Sequence, residues 1–215
     1  MSGPHARDRG KLATALARIR ELEAERDRAL VSAAPRPKPK SRSASKSDWW
    51  CSPPEIADAV WEFFGGEVDV DPCSNPLSLI KARVAYTAGG LVLPWRCRVR
   101  PRRTCYENPP YSKLVAWTDK MLHELRVGNV AEHIRLTMFA PSSAWWVSMC
   151  CMPQRNPRIL ATKRLSFIDP EAPDGARDTR YPCRFDPALI YVGPDPERFT
   201  RTFAHVTRWT TWGRT

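Results

Sequence analysis

Four consecutive residues, Asn108-Pro109-Pro110-Tyr111, combine two hydrogen-bond acceptors, a rigid backbone and an aromatic ring. The amine of a nucleobase is a poor nucleophile, because its lone pair is delocalised into the ring. The side-chain carbonyl of Asn108 and the backbone carbonyl of Pro109 can accept from its two N–H groups and draw the nitrogen toward tetrahedral geometry. The prolines restrict the backbone, and Tyr111 offers a face on which a base can stack. The motif predicts transfer of a group to a planar nitrogen, with an ordinary proline-rich turn as the alternative.

Predicted strands and helices alternate around this motif. The predicted strands are 67–71, 104–107, 133–139, 158–160 and 188–192, and the predicted helices are 53–64, 114–125 and 143–151. We expect Ser52 to cap the first helix and Gly65 to end it. The alternation predicts an α/β fold with a mostly parallel sheet, in which ligands bind beyond the carboxyl ends of the strands.

The motif and several other segments resemble one enzyme family. Asn-Pro-Pro-Tyr at a strand end is similar to the signature of S-adenosylmethionine-dependent amino-methyltransferases. Residues 50–56 (WCSPPEI) resemble a segment over the methionine end of the cofactor, and residues 68–73 (VDVDPC) resemble the first-strand motif that cradles it. Residues 91–95 (LVLPW) and 163–167 (KRLSF) look like segments of the compact phage-type DNA N6-adenine methyltransferases. The resemblance covers about residues 49–193.

The resemblance implies a Rossmann-like methyltransferase sheet and transfer of a methyl group from S-adenosylmethionine to the N6 amine of adenine in DNA. The catalytic residues that it implies are Asn108, Pro109, Pro110 and Tyr111. Asp69 and Asp71 would contact the ribose and the amino group of the cofactor, and Ser52 with the Pro53-Pro54 turn would close over its methionine part. The full set of implied cofactor-binding residues is Trp50, Ser52, Pro53, Asp69, Asp71, Pro72 and Cys73.

Three features depart from the family pattern. Residues 73–77 (CSNPL) contain no glycine, although a glycine-rich loop usually follows the first strand and lets the backbone approach the cofactor. Gly89 stands where the phage-type pattern has an acidic residue. Asp71 and Asn108 are 37 positions apart, which leaves little room for two further strand–helix units and predicts a trimmed sheet.

Three alternatives to this function stay open. The motif serves any planar nitrogen, so the substrate could also be an RNA base or a protein glutamine. The departures from the family pattern motivate a second alternative, a catalytically inactive nucleic-acid-binding protein with the same fold. Third, Pro72-Cys73 resembles the nucleophile of cytosine-C5 methyltransferases, with Glu107 as its partner, but a nucleophile directly after the cofactor strand would be misplaced.

The chain is strongly basic, with 34 Lys and Arg against 23 Asp and Glu and a formal net charge of +11. This charge favours a polyanionic partner, most simply nucleic acid, and under the resemblance double-stranded DNA. Five arginines lie within residues 96–103, directly before the strand that leads into the Asn-Pro-Pro-Tyr motif. The predicted nucleic-acid-binding residues are Arg98, Arg100, Arg102, Arg103, Lys163 and Arg164.

No metal site is expected. The seven cysteines include no Cys-x-x-Cys pair, and the four histidines have no metal-ligand spacing. The cysteines are therefore interpreted as free thiols in a reducing cytoplasm.

The composition divides the chain near residue 48. Residues 10–30 are rich in strong helix formers, which predicts an N-terminal helix within 1–30 and a dimeric coiled coil as a weaker alternative to a single helix. Residues 31–48 are predicted to be a basic Pro- and Ser-rich linker, and 49–215 the methyltransferase domain. No apolar run approaches the roughly 20 residues of a membrane span and no secretory signal is visible, so we expect a cytoplasmic protein of a bacterial or phage-infected cell.

Overall fold

The computed structural model describes residues 46–99, 102–150, 152, 157–169 and 183–210. The predicted N-terminal helix with its coiled-coil pattern, the linker up to residue 45 and Arg100 lie outside these residues. Within the described part of the chain, no helix is both long enough and apolar enough to cross a membrane.

One sheet of seven strands, in the order β2-β1-β3-β4-β6-β5-β7, forms the centre of the described structure. The strands are β1 (Val68–Asp71), β2 (Ala82–Ala85), β3 (Thr104–Glu107), β4 (Glu132–Met138), β5 (Arg158–Thr162), β6 (Pro187–Val192) and β7 (Thr207–Thr210). β1 pairs in parallel with β2 and β3, and β3 pairs in parallel with β4. β6 is antiparallel to β4 and β5, and β7 is antiparallel to β5, so five of the seven strands run in one direction. The predicted α/β fold with a mostly parallel sheet is confirmed.

Helices cover both faces of the sheet. The α-helices of the described residues are α1 (Pro54–Phe64), α2 (Leu114–Arg126), α3 (Ala144–Cys150) and α4 (Pro196–Thr202), and the short 3-10 helices are Lys46–Trp49 and Tyr111–Lys113. Along β6, Leu189 and Tyr191 pack in a core with residues of α1 and α4, whereas Ala188 and Ile190 pack in a core with residues of α2 and α3. A strand covered on both faces requires this alternation, and its sequence is apolar throughout for the same reason.

The two ends of α1 show one wrong prediction and one correct one. The helix begins at Pro54 with Pro53 as its N-cap, and no side chain bonds to its free N–H groups. The hydroxyl of Ser52, which was expected to cap it, shares a hydrogen bond with the hydroxyl of Tyr106 (2.5 Å). Gly65 ends the helix in a left-handed conformation (φ 69°), which costs glycine no steric strain.

The parallel strands define two edges of the sheet. β1, β3, β4 and β5 all end at one edge, which we call the carboxyl edge, and begin at the other, the amino edge. Between β1 and β3, the described residues contain β2 as a single strand and no helix. The short spacing between Asp71 and Asn108 therefore brings the ends of two neighbouring strands together with little structure between them.

Candidate active site at the carboxyl edge of the sheet

A cavity of about 300 Å³ lies where β1 and β3 end. Its walls come from four segments, 48–52, 71–78, 86–91 and 106–117. This volume is at the lower end of the range found for small-molecule sites in proteins. Its position is the one that an α/β sheet with parallel strands favours for a ligand.

The cavity brings together residues from both predicted motifs. The predicted residues that line it are Trp50, Ser52, Asp71, Pro72, Cys73, Asn108 and Pro110. Pro53, Asp69, Pro109 and Tyr111 do not line it. The first-strand segment and the Asn-Pro-Pro-Tyr segment thus share one cavity, although each contributes only part of its predicted residues.

Asn108 has a fixed orientation at the cavity wall. Its side-chain Nδ2 donates a hydrogen bond to the backbone carbonyl of Trp50 (2.9 Å). Its Oδ1 has no hydrogen-bond partner among the described residues, which leaves an acceptor on a residue that lines the cavity. Because the bond to Trp50 uses the donor side of the amide, the acceptor side is the one available to an amine.

The segment before α1 is tied to two other parts of the carboxyl edge. Asp48 accepts hydrogen bonds from the backbone N–H (3.1 Å) and the hydroxyl (2.6 Å) of Ser112. Cys51 and Ile168 exchange two backbone hydrogen bonds, at 2.9 and 3.0 Å. These contacts hold residues 48–51 across the cavity, and neither Asp48 nor Ser112 was among the predicted site residues.

Asp71, the last residue of β1, is a buried carboxylate in the cavity wall, with 3% of its surface exposed. Burial raises its pKa to about 7, even though hydrogen bonds from Cys73 and Ser74 favour the charged form. The backbone N–H of Cys73 donates one of these bonds, to Oδ1 at 3.2 Å. A positive charge in the cavity would favour the ionised form, so Asp71 is suited to a cationic ligand.

Asp69, the other predicted acid of β1, has a structural position. The backbone N–H of Thr104 donates to its Oδ2 (3.1 Å), and its own N–H donates to the Thr104 hydroxyl (3.0 Å). Its Oδ1 lies 3.9 Å from Nε of Arg83. Asp69 therefore joins β1 to the start of β3, and the structure does not bring it to the cavity where a cofactor contact was expected.

Cys73 and Glu107 do not form a nucleophile and its acid. Burial raises the pKa of the Cys73 thiol well above its usual value, so the thiol stays protonated near neutral pH. Glu107 is fully buried, accepts a hydrogen bond from Arg135 and lies 3.0 Å from Nε2 of His133. Burial alone would raise the pKa of Glu107, but Arg135 and His133 outweigh it and lower that pKa. These positions give no support to cytosine-C5 chemistry.

Gly90 packs closely against the backbone at the end of β1. A Cβ on Gly90 would lie 1.8 Å from the carbonyl oxygen of Pro72 and 2.9 Å from the ring of Trp117. Any side chain at this position would therefore push the 86–91 segment away from the end of β1. The sequence shows the glycine pair 89–90, but it does not indicate that Gly90 contacts Pro72, 18 positions earlier.

Aromatic side chains that the sequence reasoning did not assign to the site also line the cavity. They are Trp49, Tyr86, Tyr106 and Trp117. Tyr106 precedes Glu107 in β3 and is almost completely buried, and its hydroxyl bonds to Ser52. The hydroxyl of Tyr86 donates to the carbonyl of Pro94 (2.8 Å). Aromatic residues at such positions indicate core packing equally well, so no sequence signal marked these four.

Tyr111 lies beside the cavity and not in its wall. Its ring makes an edge contact with Phe185, with ring centres 5.1 Å apart. Its hydroxyl is buried and has no hydrogen-bond partner among the described residues. Phe185 in turn contacts Phe167, which contacts Trp50, so a row of aromatic rings leads from Tyr111 back to the cavity. The predicted stacking face is thus placed next to Phe185, just before β6.

The basic residues before β3 are at the amino edge. Arg102 donates to the carbonyl of Phe64 at the end of α1 (2.6 Å), and Arg103 donates to the carbonyl of Gly128 beyond the end of α2 (3.3 Å). Carbonyl groups in the last turn of a helix, such as that of Phe64, lack partners within the helix and attract cations. This edge is opposite the cavity, so the expected phosphate clamp beside the active site does not follow for these two arginines. Arg98, half-buried in the preceding loop, does not line the cavity.

Lys163 and Arg164 are at the carboxyl edge. They directly follow β5, which runs in the same direction as β1 and β3, and both side chains are exposed. Lys163 donates to the carbonyl of His205 (3.0 Å). Of the predicted phosphate ligands in the described part of the chain, these two therefore share an edge with the cavity. The same part of the chain contains no group of three or more His, Cys, Asp or Glu residues able to hold a metal ion.

No protein-family model, curated protein or solved structure matches the chain. The family resemblance thus depends on the motifs alone.

Proposed function

We propose that the protein is a DNA methyltransferase that uses S-adenosylmethionine to methylate the N6 amine of adenine in double-stranded DNA. The observation that carries the proposal is that Asp71 and Asn108 line one cavity, with Oδ1 of Asn108 left as an acceptor. A carboxylate for a cationic cofactor and a carbonyl acceptor for an amine are the two groups that this transfer requires of the protein.

The groups around the cavity fit the cofactor. S-adenosylmethionine, when bound, supplies an electrophilic methyl group on a positively charged sulfur, next to an amino group and an adenosine. Asp71 would pair with a positive charge, because such a charge favours its carboxylate form. Ser52 offers a hydroxyl, the rings of Tyr86 and Trp117 offer apolar faces, and Gly90 keeps the backbone close to the end of β1.

Asn108 would act on the substrate amine. The hydrogen bond from its Nδ2 to Trp50 keeps the amide from turning, so Oδ1 stays in one direction. Pro109, whose backbone carbonyl is the second predicted acceptor, is buried and does not line the cavity. The acceptor that Asn108 presents would raise the electron density at the amine nitrogen and stabilise the positive charge that develops there. No covalent bond to the protein is needed.

The proposed DNA contacts are on the carboxyl edge. Lys163 and Arg164 are the phosphate ligands of the proposal, since they are exposed on the same edge as the cavity. Arg102 and Arg103 bond to helix ends on the amino edge and are left out of it.

The test is a transfer assay with three substrates in parallel. Purified full-length protein is incubated with S-adenosylmethionine carrying a labelled methyl group and with unmethylated plasmid DNA, transcribed RNA or a glutamine-containing peptide. We expect the label in DNA, and recovery of N6-methyladenine after digestion to nucleosides. Label in RNA or in the peptide alone would reassign the substrate. Binding of the cofactor without transfer to any of the three would favour the inactive alternative.

A further inference from the structure

We propose that Asn75, in the loop after β1, is a positioning residue that holds the Trp50 carbonyl where it orients Asn108. This role rests on the proposed function, because Asn108 is the proposed acceptor for the amine. Asn75 lines the cavity but has no part in either motif as interpreted above. Its contacts, and not its place in the sequence, indicate the role.

Both polar atoms of the Asn75 side-chain amide form hydrogen bonds with the segment before α1. Nδ2 donates to the backbone carbonyl of Trp49 (3.2 Å), and Oδ1 accepts from the thiol of Cys51 (3.2 Å). Oδ1 also accepts from the backbone N–H of Leu77 (2.9 Å), two residues on, which fixes the side chain to its own turn. Asn75 therefore connects the turn after β1 to residues on both sides of Trp50.

The residue between these two contacts is the one that bonds to Asn108. The Trp50 carbonyl accepts from Nδ2 of Asn108 at 2.9 Å. Peptide units are planar and rigid, so fixing the Trp49 carbonyl and the Cys51 side chain limits the directions in which the Trp50 carbonyl can point. If the Trp50 peptide turned, the bond would break and the Asn108 amide would be free to rotate its acceptor away from the cavity.

The other contacts of this segment act together with those of Asn75. Asp48 bonds to Ser112 before Trp49. The N–H of Cys51 donates to the carbonyl of Ile168, and because this N–H and the Trp50 carbonyl belong to one planar peptide unit, that bond also limits the direction of the Trp50 carbonyl. Asn75 adds contacts to the peptide unit before it and to the Cys51 side chain. Within the described part of the chain, Asn75 is the residue whose side chain bonds to both neighbours of Trp50. The loop after β1, which lacks glycine, thus contributes a side-chain amide that fixes residues 49–51 of the cavity wall.

The experiment compares kcat and the KM for S-adenosylmethionine in three variants of the full chain. Asn75→Ala removes all the hydrogen bonds of the Asn75 side chain. Asn75→Asp keeps the acceptor for Leu77 and loses the donor to Trp49, and it serves as the second variant if Asn75→Ala does not fold. Asn129→Ala is the matched control. It also removes a hydrogen bond donated by a side-chain amide, to Glu124 (2.6 Å), and Asn129 does not line the cavity.

We expect kcat to fall about ten- to a hundredfold in both Asn75 variants, as misplaced catalytic groups do, with the cofactor KM changed less than about threefold. The Asn129→Ala variant should keep the wild-type kcat. Wild-type kcat in the Asn75 variants would overturn the role. A rise in cofactor KM with unchanged kcat would also overturn it, since it would make Asn75 a cofactor contact.

A double-mutant cycle with Asn108→Ala tests whether Asn75 acts through Asn108. If it does, Asn75→Ala should change the residual rate of Asn108→Ala less than about twofold, because the group it positions is gone. If Asn75→Ala lowers the rate of the Asn108→Ala protein as much as it lowers the rate of the wild type, the proposal is overturned. A wild-type protein without any methyl transfer would instead refute the proposed function, which separates the two failures.

Discussion

The two edges of the sheet contain similar residue types in different surroundings. At the carboxyl edge, Asn108 and Asp71 line a cavity, and Lys163 and Arg164 are exposed on the same edge. At the amino edge, Arg102 and Arg103 bond to the carbonyl ends of helices, and the amide of Asn129 bonds to buried Glu124. The same types share an edge with the cavity in one case and lie at the opposite edge in the other.

This contrast separates the charge density of a segment from its position relative to the cavity. The run 96–103 is the densest basic segment of the globular part. Yet Arg102 donates to the carbonyl of Phe64 and Arg103 donates to the carbonyl of Gly128, both at the amino edge. Arg164 has only one basic neighbour in sequence and lies on the edge that has the cavity. Direction along the strands decides which residues are available, and that direction belongs to the fold.

The largest expected difference between the edges concerns their asparagines. Asn108→Ala should lower the rate of methyl transfer about 10²- to 10³-fold, because it removes an acceptor for the charge that develops in the transition state. Cofactor affinity, measured by calorimetry, should stay within about twofold of wild type. Asn129→Ala is the amino-edge counterpart and should retain the wild-type rate. Equal rates in all three proteins would refute the assignment of Asn108.

The second difference concerns the two acids of β1. Asp71→Asn should weaken S-adenosylmethionine binding by roughly 1.5–3 kcal/mol, the range for a hydrogen bond to a charged group. Because the pKa of Asp71 is about 7 in the free protein, wild-type affinity for this cationic ligand should rise as the pH rises through 7 and the carboxylate forms. Calorimetry between pH 6 and 8 tests both points, and Asp71→Asn should lose the rise.

Asp69→Asn is the control for that experiment. Asp69 joins β1 to Thr104 and does not line the cavity, so its substitution should lower the stability and leave the pH dependence of binding intact. Stability gives an independent measurement of Asp71. Its pKa is raised on folding, so wild-type stability should fall relative to Asp71→Asn as the pH rises from about 4 to 7. A pH dependence of binding that follows Asp69 would reverse the two roles.

A smaller difference concerns the basic side chains. Replacing Lys163 and Arg164 with Ser should flatten the dependence of log affinity for DNA on log salt by up to about 2, since each lost phosphate contact removes about 0.9. Replacing Arg102 and Arg103 with Ser should leave that slope unchanged and cost about 0.3–1 kcal/mol of stability per residue. Filter binding over a salt series and thermal unfolding distinguish the pairs. The opposite result would place the DNA on the amino edge.

The smallest effect is expected for the segment ahead of the described structure. Removing residues 1–45 should leave folding and kcat on short duplexes unchanged at low salt, because every segment that lines the cavity begins at residue 48 or later. Circular dichroism and the transfer assay measure both. Loss of soluble expression would show that the fold depends on those residues.

Local patterns allowed most of the elements to be predicted. β1, β3 and the helices α1, α2 and α3 have strong local signals, and their observed limits differ from the predicted ones by at most one residue. β2 and β7 were missed, since each is a four-residue strand that pairs with one neighbour. α4 was also missed, although Asp195 is a visible N-cap whose side chain accepts from the N–H of Arg198 (2.9 Å).

The site was predictable where it follows strand ends and not where loops meet. Asp71 and Asn108 could be placed at one edge because parallel strands end together. The approach of Gly90 to Pro72 and the bonds of Asn75 across Trp50 depend on loops that are distant in sequence. No local pattern encodes such pairings. The position of β6 between β4 and β5 was unpredictable for the same reason.

The point at which the chain enters the described structure has a consequence for protein engineering. Lys46–Trp49 leads directly into the cavity wall, and Asp48 attaches it to Ser112. Anything joined ahead of residue 46 is thereby tethered close to Asp48 in the cavity wall, where a short flexible tether gives an effective concentration in the millimolar range. The 11 Lys and Arg of residues 1–45, against 5 Asp and Glu, are attached at this point. Under the proposed function, a programmable DNA-binding module fused in their place would bring its target strand to the carboxyl edge and not to the far edge of the sheet.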